Sequence, residues 1–279
     1  MRFGYNTNGF AHHRLEDVLA ILAELGYQSV AITLDYQHLN PFEPNLESRL
    51  AETRKLLDKL SLSCVIETGA RFLLDSRNKH QPTLLSSNPA DRQRRLDFLC
   101  RAVDVGHVLQ ADAVSFWSGA PRETLPFADH LHRLASGCLQ LCEYAASKGV
   151  RLAFEPEPGM LIDTMDRFAA LSARVDHPAF GLTIDIGHLH CQGETPVADH
   201  LRHWQGRLWN IHIEDMRRGI HEHVMFGEGE IDFRPVLRTL TEIGYAGGVH
   251  VELSRHGHDA VNVARASLRY LEEMNDERK

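Results

Sequence analysis

The chain has 279 residues, 43% hydrophobic and 24% charged, the make-up of an ordinary water-soluble enzyme. Its formal charge of −8 argues against a nucleic-acid binder, which presents a basic face to phosphates. No apolar run approaches the ~20 residues of a membrane span, and the N-terminal Met-Arg-Phe-Gly-Tyr-Asn enters a strand pattern without a secretion signal, so a cytoplasmic protein without membrane partners is expected.

Strand-like and helix-like segments alternate from the start. Residues 2–7 read as strand, and 14–25 carry helical apolar spacing with Gly26 as the stop. Strand 29–35, a helix at 46–60 and strand 63–68 follow. A long irregular stretch, 69–88, holds Arg71, Arg77, Lys79 and His80. Asn88-Pro89 then starts a helix, with an N-cap and proline in the first turn. Arg92, Arg94 and Arg95 read as the solvated face of that helix, which runs to about 109. Further strands are expected at 113–118, 151–155, 180–185, 208–213 and 248–253, with helices at 125–148, 164–174, 197–204, 233–243 and 259–273. Alternation of this kind implies parallel strands with crossover helices. Eight such units fit a (β/α)₈ TIM barrel, an α/β fold of about 250 residues. The rival doubly wound sheet carries an early Gly-x-Gly-x-x-Gly turn, which this sequence lacks. With no linker rich in Pro, Gly or Ser, residues 1–279 read as one domain.

The five cysteines are scattered and odd in number, which suits a reducing compartment and offers no disulfide framework. Cys138 and Cys142, four apart on a helix, read as core residues. Of 18 histidines, seven fall between His188 and His223, which concentrates metal and proton chemistry in one third of the chain.

Four strands of the second half end alike. Arg-Leu-Ala-Phe-Glu155, Gly-Leu-Thr-Ile-Asp185, Trp-Asn-Ile-His212 and Val-His-Val-Glu252 each lead apolar residues into a group that can bind a divalent cation. In a barrel these strand ends meet at one mouth. Buried charges there are costly unless paired or coordinated, so a shared metal ion, Mn, Mg, Co or Zn, is expected on Glu155, Asp185, His212 and Glu252.

Asp185 and His188 lie three apart just past a strand, and Gly187 reads as a tight-turn residue between them. His188 is a candidate for a second metal or a substrate oxygen. After His212 comes a long polar loop with Arg217, Arg218, His221 and His223. Arginine suits phosphate or carboxylate. His221 and His223 alternate, so an extended segment presents them on one face, to a second metal or to substrate. Arg71 and Lys79 read either as a receiver of a substrate anion or as the solvated face of a lid. Trp117 reads as core packing or as a wall for a sugar ring. Asn6 and Asn8 lie beyond the first strand.

The segments Phe-Glu155-Pro-Glu-Pro, Asp185-x-Gly-His188, His212-x-x-Asp…Arg218…His221-x-His223…Gly-Glu-Gly and Val-Glu252 resemble the xylose isomerase-like TIM barrels over nearly the whole chain. That superfamily includes sugar and sugar-phosphate isomerases and epimerases, inosose dehydratases and endonuclease IV. By similarity to its ketose 3-epimerases, Glu155, Asp185, His212 and Glu252 would bind one ion, with Glu155 and Glu252 also moving the substrate proton. His188 and Arg218 would contact substrate oxygens. Those epimerases carry a further glutamate where this chain has Leu161, and Glu157 stands nearby as a substitute. The resemblance therefore implies a metal-dependent isomerase or epimerase working through an enediolate on a small carbohydrate-like substrate. Its rivals are an inosose- or dehydroshikimate-type dehydratase and a multi-zinc phosphodiesterase in which His188, His221 and His223 complete the cluster. Barrels of this group often pair, which makes a homodimer the assembly the resemblance suggests.

Overall fold

Short runs of β-branched and aromatic residues, apolar on both faces, form the strands of a parallel sheet covered by helices. The structure, a computed structural model, describes residues 1–276. Strands β1 (Arg2–Asn6), β2 (Ser29–Thr33), β3 (Ser63–Glu67), β4 (Val114–Phe116), β5 (Leu152–Phe154), β6 (Phe180–Asp185) and β7 (Leu208–Ile213) pair in order. Strands β8 (Asp215–Arg217) and β9 (Ile220–Val224) form an antiparallel hairpin, and β10 (Gly248–Val251) closes the barrel between β7 and β1. Helices α1 (Leu15–Leu25), α2 (Leu46–Leu60), α3 (Pro89–Leu109), α4 (Phe127–Ser147), α5 (Met165–Val175), α6 (Ile186–Gln192), α7 (Val197–Trp204), α8 (Phe233–Glu242) and α9 (Ala260–Asn275) complete the chain. No described helix is long and apolar enough to cross a membrane.

Local chemistry sets the boundaries. Gly26 ends α1 in the left-handed conformation, at φ 106°. Asn88 caps α3 by accepting from the Ala90 N–H, with Pro89 in the first turn. The apolar core lies between sheet and helices. Phe154, Phe168 and Phe180, for example, stack with ring centroids 5.8–5.9 Å apart, and each such burial contributes about 1.5–3 kcal/mol.

The barrel interior is polar. Ser29, Ser115, Thr183, Asn210 and His250 are fully buried beneath the mouth. Ser115 and Thr183 hydroxyls meet at 3.1 Å. His250 Nδ1–H donates to Asn210 Oδ1 (2.8 Å), and the Ser29 hydroxyl donates to His250 Nε2 (2.9 Å). Gly4 and Gly248 make room for that imidazole, since a Cβ on either would come within 2.3 Å of the ring.

Three expectations are corrected. Arg95 is 1% exposed, not solvated. Gly187 lies inside α6, a helix the periodicity did not reveal, and serves close approach rather than a turn: a Cβ there would sit 2.1 Å from Glu214 Oε1. The polar loop after β7 is largely the β8–β9 hairpin.

Candidate metal centre and active site

The parallel ladder carries the four candidate ligands to one rim. Asp185 and His212 are register partners on β6 and β7. Glu155 and Glu252 stand one residue past β5 and β10, where their N–H groups still bond to Phe116 O (2.8 Å) and Ile213 O (3.3 Å). The ligand atoms of Glu155, Asp185, His212 and Glu252 all lie within 4.8 Å of one another. His212 Nδ1 is 3.0 Å from both Glu155 Oε1 and Glu252 Oε2. Asp185 Oδ2 is buried without a hydrogen-bond partner. Three carboxylates, one imidazole and an orphaned buried oxygen fit a divalent cation such as Mn, Mg, Co or Zn.

Hydrogen bonds fix each side chain. Asn8 Nδ2 donates to Glu252 Oε1 at 2.7 Å. Asp185 Oδ1 accepts from the His188 N–H (2.9 Å) and so caps α6. Glu67 Oε1 lies 2.9 Å from His212 Nε2, on the far side of the ring from the other ligands. A carboxylate there orients an imidazole and sets which nitrogen keeps its proton.

The electrostatics separate the two glutamates. Burial pushes the Glu155 carboxyl up to about 8, against the pull of His212. Burial also raises Glu252, but His212, His223 and His188 outweigh it and hold the group below its usual range. Burial disfavours the imidazolium of His212, yet Glu67, Glu155 and Glu252 together raise its pKa well above the ordinary value.

The expected alternation of His221 and His223 holds on β9. His221 Nε2 is 3.0 Å from His188 Nε2. Carbonyls set the other nitrogens, with His188 Nδ1 at 3.2 Å from Pro156 O and His223 Nδ1 at 2.9 Å from Glu252 O. The ligand atoms of His188, His221 and His223 lie within 4.8 Å of one another, so this trio could also hold an ion. Burial holds His188 neutral, at about 4.

Glu155, His188, His212, His221, His223 and Glu252 line one cavity of about 260 Å³. Glu157, Trp117, Arg71, Lys79 and Asn8 also line it. Arg218 does not. It sits in the exposed hairpin turn, with its guanidinium against Gly193 after α6. The arginines at the mouth are Arg71 and Arg255, and Arg255 is paired with Glu222 at 2.6 Å.

Two buried acids escape a search for strand-end ligands. Glu67 falls within the expected strand 63–68 and closes β3, with no role that its sequence position suggests. Glu214 is fully buried, with neither oxygen receiving a donor. Burial and neighbouring Asp185 raise its pKa well above the usual range. A signal existed: strand alternation puts Asn210, His212 and Glu214 on one side, and likewise His250 and Glu252.

Known proteins share this fold. The family model described as xylose isomerase-like TIM barrel matches residues 19–274. L-ribulose-5-phosphate 3-epimerase UlaE of Escherichia coli is 27% identical over 259 residues, covering 89% of this chain and 86% of its own. The crystal structure of a D-tagatose 3-epimerase-like protein, 21% identical, superposes with a TM-score of 0.81 over 100% of both chains. D-allulose 3-epimerase from Methylomonas sp., in complex with D-allulose, is 20% identical, with a TM-score of 0.78 over 98% of this chain and 97% of that one.

Proposed function

We propose that this chain, which belongs to the xylose isomerase-like TIM barrel family, is a divalent-metal-dependent sugar epimerase that inverts the carbon next to the carbonyl of a ketose. The observation that carries the reading is the convergence of Glu155, Asp185, His212 and Glu252 within 4.8 Å. The match to UlaE supports the reaction class.

Glu155, Asp185, His212 and Glu252 would hold the ion, which when bound supplies Lewis acidity to offset negative charge on substrate oxygens. The protein's own groups move the proton. Glu252, ionised and held at Oε1 by Asn8, removes it from the carbon beside the carbonyl. Glu155, across His212 from Glu252, returns a proton. Return on the opposite face inverts the centre. His188, with Nδ1–H engaged by Pro156 O and Nε2 beside His221 Nε2, forms with His221, His223 and Glu157 a polar wall for substrate hydroxyls.

The test is deuterium uptake from solvent at the carbon beside the carbonyl, on a panel of ketoses with Mn supplied. Glu252→Gln is expected to lower exchange by about 10²–10⁴-fold. Exchange that survives this change intact would sink the reading. The His188–His221–His223 trio favours a second reading, hydrolysis with more than one metal. Phosphodiester cleavage without ketose exchange would select it.

A further inference from the structure

The β3–α3 loop, residues 69–88, brings cations to the mouth opposite the candidate metal ligands. Arg71 and Lys79 line the same cavity as Glu155, His212 and Glu252. Among the described residues, neither side-chain head makes a hydrogen bond or ion pair. Asp35 and Glu157 feel these two charges only from beyond ion-pair range.

A third cation lies behind them. Arg95 is 1% exposed and donates from Nη2 to Thr68 O (2.9 Å). Its Nη1 is buried with no partner. Its guanidinium stacks 4.5 Å over the Trp117 ring, and Trp117 lines the cavity. A buried charge without a counter-ion costs free energy, and no carboxylate pairs with Arg95 among the described residues. The loop is strained as well. Ala70, Arg71 and His80 adopt positive φ of 56°, 29° and 64°, which non-glycine residues rarely do and which tends to mark functional positions.

Resting on the epimerase reading, we propose that this side of the mouth is an anion subsite for a terminal phosphate on the ketose, with Arg71 and Lys79 contacting it directly. A neutral sugar would leave both cations unanswered. A phosphate can take a two-pronged arginine contact and a lysine point charge together. Arg95, one ring removed from the cavity, adds positive field at the same place.

The experiment compares ketoses with their terminal phosphate esters in wild type, Arg71→Ala and Lys79→Ala, with Mn present. The ester is expected to have at least a 100-fold higher kcat/KM, carried mainly by KM. Each variant is expected to shrink the ratio of ester to free-ketose kcat/KM at least tenfold, which a merely structural loss would not do. An ester no better than the free ketose, or variants that lower both substrates alike, overturns the subsite and leaves the epimerase reading standing. If neither form exchanges deuterium, it is that reading which fails, and calorimetry with inorganic phosphate decides the subsite. At least tenfold weaker phosphate binding in the variants upholds the subsite; absent or unaltered binding overturns it.

Discussion

Glu67 is not among the four candidate ligands, yet it orients one of them. Its Oε1 meets His212 Nε2 at 2.9 Å, which leaves Nδ1 facing Glu155 and Glu252. Glu67→Gln keeps the shape and removes the charge. Mn affinity, measured by calorimetry, is expected to fall about 10–100-fold, with little change in fold by circular dichroism. The four candidate ligands could be picked out in the sequence because each ends an apolar strand run. Glu67 ends one too, but it faces the second nitrogen of an imidazole already counted, and pairings across the barrel leave no trace in linear spacing. Arg218 fails for the opposite reason. Its position in the motif suggested the mouth, and a tight hairpin turn carries it outward.

Among the described α-helices, the shortest is the one the sequence reading missed. The long helices α3 and α4 carry clear caps or periodicity, and the barrel strands lie within a residue or two of expectation. Helix α6 has seven residues, too few for a periodic signal. The hairpin is visible only in the alternation of His221 and His223. Among the strands, β1 and β10 are shaped by one imidazole. Gly4 and Gly248 flank His250, and a methyl group on either meets the ring at 2.3 Å. Gly248→Ala is expected to destabilise the fold by about 1–3 kcal/mol, as overpacking does, read from urea unfolding with metal present.

The whole barrel is built around a polar interior where such barrels usually carry layers of branched apolar residues. This layer makes stability depend on pH. Burial, followed by the nearby charge of His212, holds His250 well below its ordinary value of 6.5. The unfolded chain therefore binds that proton more readily than the folded one. The contribution of a neutral His250 is present above pH 6.5 and is lost as the pH falls below it. Urea unfolding at pH 8 and pH 5 is expected to show an acid-side loss that His250→Gln reduces. The candidate metal centre predicts a second global effect. Chelation is expected to lower the melting temperature, and an ion at a hundred times its Kd to restore about 2.7 kcal/mol. Calorimetric melting with and without Mn checks this.

The hairpin is fastened more firmly than a surface ribbon needs to be. His223 reaches the Glu252 carbonyl, and Asp215 accepts from the N–H groups of Met216, Gly227 and Ile231 at 2.9–3.1 Å or through its second oxygen. Lifting β9 would drag on the backbone of Glu252, the residue proposed to remove the proton. A substrate is therefore expected to enter along residues 69–81, on the other side of the cavity from the hairpin. Amide exchange is expected to be slow through 215–224 and faster through 69–81, so the side of the mouth that opens most readily is also the one that carries the unpaired cations.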